Sequence, residues 1–250
     1  MKILEVRDYH EMSSIAAKII IEKVQSKPDA KLGLATGGTP IGLYKELIQD
    51  YRSNGTSYER VCTYNLDEYV EIDPEDSNSY RYFMEQHLFA HINVPESQIH
   101  IPDGTAEDLE AECERYDVEL NRGDGVDIQI LGIGSNGHIG FNEPDTSFAS
   151  HTHIVKLAET TRKANARFFQ RLEDVPTHAI TMGIASILKA KQIILLVSGV
   201  DKAEVMKQLL TTDEVNEQLP ASALKKHHNV TIIADEEALS LLREKKFQNK

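Results

Sequence analysis

Short apolar runs alternate with helical patterns from one end of the chain to the other. KLGLA (31–35), VCTYNL (61–66), VDIQILGI (126–133), HAITM (178–182), QIILLVS (192–198) and NVTIIA (229–234) read as strands. Several are apolar on both sides of the alternation, which predicts parallel strands covered on both faces. Helical patterns fill the gaps. Residues 9–25 put Met12, Ile15, Ala16, Ile19 and Val24 roughly on one face. Residues 106–121 carry Leu109, Cys113, Tyr116 and Leu120, and residues 201–211 carry Val205, Met206, Leu209 and Leu210. This alternation predicts βαβ units: an α/β fold with an open, mostly parallel sheet and helices on both faces. The most linker-like stretch, EIDPEDSNS (71–79), sits between two elements and reads as a long loop, so residues 1–250 are expected to form a single domain.

Composition narrows the partners. The chain has 27 Lys+Arg against 40 Asp+Glu, a net charge of −13, and no run of five basic residues; the densest cluster is Arg243, Lys245 and Lys246. A nucleic-acid partner is not expected, because such proteins present a basic face that neutralises phosphates. Cys62 and Cys113 form no CxxC and no metal spacing, and Cys62 is expected to be a buried free thiol. No stretch approaches 18 apolar residues, and MKILEVRDYH lacks the apolar centre of a leader. The expectation is a cytoplasmic protein without a membrane partner.

In open α/β sheets, ligands bind outside the carboxyl ends of the strands. Three segments there are unusual. Ala35-Thr36-Gly37-Gly38-Thr39-Pro40 follows the first run and precedes a helical pattern starting near Ile41. Its glycines allow close approach to a ligand, its threonines supply hydroxyls, and Pro40 suits a first helical position. It reads as a phosphate cradle or as a plain turn capped by Thr39; it is not a P-loop, because GxxxxGK[ST] is absent. Asn65-Leu66-Asp67-Glu68-Tyr69 puts two carboxylates and an amide after another strand, as a general base or as an acidic helix cap.

The third segment, Gly132 to Pro144, contains GxGxxG behind a good strand. A dinucleotide fingerprint would open a helix there, whereas Gly140 and Pro144 argue against one. The glycines instead read as bending a loop that aims Asn136, His138 and Glu143 into one site. A histidine held by an amide and a carboxylate is a poised proton shuttle. Lys202, Arg162 and Arg167 could each neutralise a phosphate or be surface charges. His151-Thr152-His153 is a weak metal pattern, better explained by alternation on a strand, and His227-His228 is expected to be exposed.

Taken together, LATGGTP, YNLDEY, LGIGSNGHIGFNEP, TRKANARFF and SGVDKA resemble, in order, the motif series of the glucosamine-6-phosphate deaminase family, from residue 31 to about 235. The resemblance implies conversion of glucosamine 6-phosphate and water to fructose 6-phosphate and ammonia, with no metal and no organic cofactor. It gives Asp67 the role of the base that moves the C2 proton to C1. His138 matches the ring-opening histidine and Glu143 the carboxylate that orients it. Asn136 stands where many relatives have aspartate, leaving the histidine one carboxylate partner. Thr36, Gly37, Gly38, Thr39, Arg167 and Lys202 match phosphate-binding positions. The fold is shared with 6-phosphogluconolactonases, which keep the glycine–histidine loop but match NLDEY and FNEP less closely. It is also shared with sugar-phosphate sensors, which usually carry a DNA-binding segment before a domain whose sheet here is expected to begin by residue 31. Longer relatives are hexamers activated by N-acetylglucosamine 6-phosphate through basic side chains after FNEP. Here His153 and Val155 hold those positions, and the chain lacks those relatives' C-terminal extension, so a monomer or small homo-oligomer without an effector is expected.

Overall fold

The apolar runs form strands in the computed structural model, which describes residues 1–157, 159, 162, 163, 166, 169 and 171–242. Seven strands lie parallel: β1 (Lys2–Val6), β2 (Lys31–Leu34), β3 (Cys62–Asn65), β5 (Ile99–His100), β6 (Ile128–Leu131), β9 (Ile193–Val197) and β10 (Val230–Asp235). Their order across the sheet is β1-β10-β9-β6-β2-β3-β5. All five residues of β9 and all four of β6 are buried, as expected of central strands covered on both faces. Each of the Ile, Leu and Val side chains among them contributes roughly 1.5–3 kcal/mol through burial.

One expected strand joins a different sheet. HAITM forms β8 (His178–Thr181), which pairs antiparallel with β4 (Asp67–Tyr69) and β7 (His153–Lys156). Its apolar positions are consecutive because the small sheet closes over its own core of Tyr69, Ile72, Phe141, Leu157 and Ala179. The strand pattern alone cannot tell that environment from the main sheet's. Three strands escaped the pattern altogether. β1 is an edge strand with mostly exposed residues, β5 has two residues, and β4 reads DEY, polar by sequence yet wholly buried. The sheet thus begins at residue 2, with β1 preceding the first strand that the pattern picked out.

The helical patterns at 9–25, after Pro40, at 106–121 and at 201–211 all form helices, and two further helices, Tyr80–His87 and Ile184–Ile187, lie outside those patterns. α1 (Tyr9–Ser26) buries Met12, Ala16, Ile20 and Val24, and its amino end is capped by Asp8, whose Oδ1 accepts the Glu11 N–H at 2.9 Å. α2 (Ile41–Asn54) starts after Pro40, which sits at the cap rather than at the first helical position. Next come α3 (Tyr80–His87) and α4 (Leu109–Leu120), then the short α5 (Ile184–Ile187) and finally α6 (Ala203–Thr211). From β2 the chain runs to β3 and β5 on one side, then returns to β6, β9 and β10 on the other. Right-handed crossovers in opposite directions place helices on both faces. Among the described residues, no helix is long and apolar enough to cross a membrane.

Two smaller expectations are corrected. Cys62 is only partly buried, its Sγ donating to Gln98 Oε1 at 3.1 Å, while Cys113 is the buried thiol. His227 is buried, with Nε2 2.7 Å from Ala190 O and Nδ1 accepting the Asn229 N–H at 3.1 Å; only His228 is exposed. Backbone partners on both ring nitrogens make His227 part of the fold.

Candidate active site

The chain reverses direction across the sheet between β2 and β6, and that switch point opens a crevice at their carboxyl ends. The loop after β2 is Ala35–Pro40 and the loop after β6 is Gly132–Pro144, two of the three unusual segments. The third leads directly from β3 into β4. A cleft of about 490 Å³ lies among them, with walls that include Thr36, Gly37, Gly38, Thr39, Asp67, Asn136, His138 and Lys202. Glu143 stands behind Asn136. Arg167 lies outside the described residues. Arg162 donates from Nη2 to Leu172 O at 3.1 Å and to Val175 O at 2.9 Å, so it fastens backbone.

The glycine-rich segment after β6 opens no helix. It folds back on itself, Gly134 N–H donating to His138 O at 2.9 Å, and lays the histidine ring against Gly134. A Cβ at Gly134 would fall 2.1 Å from His138 Cε1, so only glycine lets the ring occupy this place. Asn142, fully buried, donates to Ile139 O and Met182 O, each at 2.8 Å, and Thr181 Oγ1 accepts the Phe141 N–H at 3.1 Å. The end of β8 thus holds the loop. Because β8 also pairs Thr181 with Asp67, the small sheet brings the loop and Asp67 together.

Three side chains form a relay. Asn136 Nδ2 donates to Glu143 Oε2 at 2.6 Å, which turns Asn136 Oδ1 toward His138 Nδ1, 2.7 Å away. An amide oxygen can only accept, so the arrangement assigns the proton to Nδ1 and leaves Nε2 with its lone pair. Glu143 Oε2 also lies 3.5 Å from His138 Nδ1. Asn136 therefore does not merely replace a carboxylate: it passes the orienting effect of Glu143 to the ring.

Asp67 is the opposite case. Its side chain is buried, and among the described residues it accepts no hydrogen bond and has no ion-pair partner. Burial, with the neighbouring Glu68 carboxylate adding to it, pushes its carboxyl up to about 8. Glu68 is also raised by burial, but it accepts N–H bonds from Tyr69, Tyr80 and Arg81, each at 2.9 Å. The acidic-cap reading thus holds for Glu68, which caps α3 across a twelve-residue separation, and not for Asp67.

Sequence reasoning missed the aromatic wall. Tyr80 and Phe141 line the cleft and stack with centroids 6.1 Å apart, and Tyr80 Oη donates to Tyr69 Oη at 3.3 Å. Tyr80 opens a helix after the 71–79 loop, and the only signal was Ser79, whose Oγ accepts the Tyr82 N–H. Among the described residues no group of three or more His, Cys, Asp or Glu is placed to hold a metal.

Residues 8–233 match the family described as glucosamine-6-phosphate isomerases/6-phosphogluconolactonase. The chain belongs to this family. Within the glucosamine-6-phosphate isomerase/6-phosphogluconolactonase family it lies with the deaminases. It is 56% identical over 246 residues to a glucosamine-6-phosphate deaminase of Geobacillus sp. strain WCH70, covering 98% of both chains. The solved structure of a monomeric glucosamine-6-phosphate deaminase superposes with a TM-score of 0.94 at 50% identity, over 96% of this chain and all of that one. A 6-phosphogluconolactonase from Thermotoga maritima superposes with a TM-score of 0.72 at 18% identity, over 94% of this chain and 98% of that one; at that distance it shares the fold.

Proposed function

We propose that this chain is an enzyme that converts glucosamine 6-phosphate and water to fructose 6-phosphate and ammonia. The observation that carries it is a bare, buried carboxyl and a separately held histidine facing one cleft beside a glycine–threonine loop. A closed amino sugar has no acidic C–H, so the ring must open first. His138 Nε2, with its lone pair set by Asn136 and Glu143, takes the proton of the C1 hydroxyl and returns one to the ring oxygen. Asp67 then removes the C2 proton, giving a C1–C2 enolamine, and delivers it to C1. The resulting C2 imine adds water and releases ammonia, leaving the ketose. A carboxyl lifted to about 8 has high proton affinity, which suits it to a weakly acidic C–H.

The phosphate supplies binding energy remote from C1 and C2. Thr36, Gly37, Gly38 and Thr39 face it from one side and Lys202, at the start of α6, from another; Arg167 is proposed as the second cation on the family motif. A lactonase would need a water-activating histidine and no C2 base, so Asp67 would stand idle. The test is formation of ammonia and fructose 6-phosphate from glucosamine 6-phosphate by purified, chelator-treated protein. Hydrolysis of 6-phosphogluconolactone without ammonia release would overturn the reading.

We also propose cytoplasmic action, where phosphorylated sugars are held, as a monomer or small homo-oligomer without an effector. Val155 cannot pair with a phosphate, and the His153 ring nitrogen is engaged with His151 O at 2.7 Å. The expected saturation curve is hyperbolic with and without N-acetylglucosamine 6-phosphate. A sigmoidal curve that the compound makes hyperbolic, from a hexamer in light scattering, would contradict this.

A further inference from the structure

The loop after β2 has a second support that its own motif does not reveal. Tyr9, on the first turn of α1, reaches across 29 residues, and its Oη donates to Gly38 O at 3.0 Å. The same oxygen accepts the Gly42 N–H at 2.7 Å. α2 has no side-chain cap of its own, so the tyrosine hydroxyl satisfies one of its unpaired first-turn donors. The contact is closely fitted: a Cβ at Gly42 would lie 2.9 Å from Tyr9 Cε1. At the other end of the loop, Tyr44 Oη donates to Ala35 O. Meanwhile the N–H groups of Thr36, Gly37, Gly38 and Thr39 meet no acceptor among the described residues.

An anion site built from backbone needs its N–H groups presented and its carbonyl oxygens turned aside, because a carbonyl dipole aimed at a phosphate repels it. We propose that Tyr9 is a positioning residue for phosphate recognition. Its hydroxyl holds the Gly38 carbonyl away from the anion and locks the loop to the amino end of α2. This rests on the reading that the loop takes the substrate phosphate. Tyr9 itself touches no reacting atom, so its effect falls on binding and not on the proton transfers.

The test is Tyr9→Phe in the full chain, which keeps the ring packing and removes only the hydroxyl. Expected is a rise of about 5–10-fold in KM for glucosamine 6-phosphate with kcat within twofold, the size of a lost neutral hydrogen-bond pair. The dissociation constant of inorganic phosphate, measured by calorimetry, should rise by a similar factor. That arm reads the loop directly, so it separates failure of this proposal from failure of the assigned reaction. Ser13→Ala removes a helix-internal bond to Tyr9 O and leaves the hydroxyl in place; it should change neither constant. Wild-type KM and phosphate affinity in Tyr9→Phe would overturn the proposal. So would a loss confined to kcat, or an equal effect from Ser13→Ala, which would mark a packing role.

Discussion

The two ends of the parallel sheet treat a buried carboxylate in opposite ways. At the amino end of β6, Asp127 is met from three directions: it accepts the Lys31 N–H at 2.9 Å and pairs with Lys27 at 3.0 Å and Lys191 at 3.1 Å. Burial works against its charge, yet these partners outweigh it and hold the carboxyl below its ordinary value. At the carboxyl end, Asp67 is equally buried, meets no donor among the described residues, and is lifted to about 8. Asp235, also at a carboxyl end, shows that position alone does not decide the outcome. It accepts from Ser198 Oγ at 2.5 Å, Gly199 N–H at 3.1 Å and Ala238 N–H at 2.8 Å, fixing the turn that leads to Lys202. What separates a carboxyl held in its charged form from one lifted far above the usual range is whether the fold supplies its partners.

The largest expected effect comes from removing the bare one. Asp67→Asn should lower kcat by at least ~10²-fold, the lower end for a positioned proton-transfer group. It should also stabilise the protein. The folded carboxyl keeps its proton up to about 8, whereas an unfolded one releases it near ~4. Between those values the folded state binds more protons, so this group's contribution to stability falls as pH rises and is fully lost above about 8. The Asn variant does not titrate. Its advantage in unfolding free energy should therefore grow from pH 4 to 8, reaching on the order of a few kcal/mol. An active or destabilised variant in calorimetry at pH 8 would break the comparison. By the same logic kcat/KM of the native enzyme should climb with pH toward 8 as the base is freed.

Lys202→Ala comes next. A charge-assisted bond to phosphate is worth ~1.5–3 kcal/mol, so kcat/KM should fall ~10–100-fold, while turnover of unphosphorylated glucosamine should not respond. Equal sensitivity of both sugars would remove Lys202 from the phosphate site. Asp127→Asn should be the smallest kinetically and the inverse of Asp67→Asn. Its lysine partners are about a third to a half exposed and can return to water. The cost, read by denaturant unfolding, should be only about 1–3 kcal/mol, with kcat and KM unchanged.

Much of this is legible in the sequence. Periodicity located the central strands and α1, α2, α4 and α6, because burial on both faces of a strand and on one stripe of a helix leaves a strong record. The rule that ligands gather at carboxyl ends then picked out the three loops that do meet at the cleft. The small sheet was not legible. β4 is Asp-Glu-Tyr, wholly buried although it carries two carboxyls, one of them the cap of α3, and hydrophobicity shows nothing of this. The aromatic wall and the Tyr9 contact were equally silent, since each joins residues far apart in sequence. Asn136 looked like a lost carboxylate in sequence; its bonds to His138 and Glu143 reveal a relay.

The most direct measurement follows the proton itself. Glucosamine 6-phosphate carrying deuterium at C2 should, with the native protein, yield fructose 6-phosphate with part of that deuterium at C1, detected by NMR. With Asp67→Asn no deuterium should reach C1, and the label should remain at C2 of recovered substrate. Transfer from C2 to C1 that persists in Asp67→Asn would contradict the assignment of the bare carboxyl as the base.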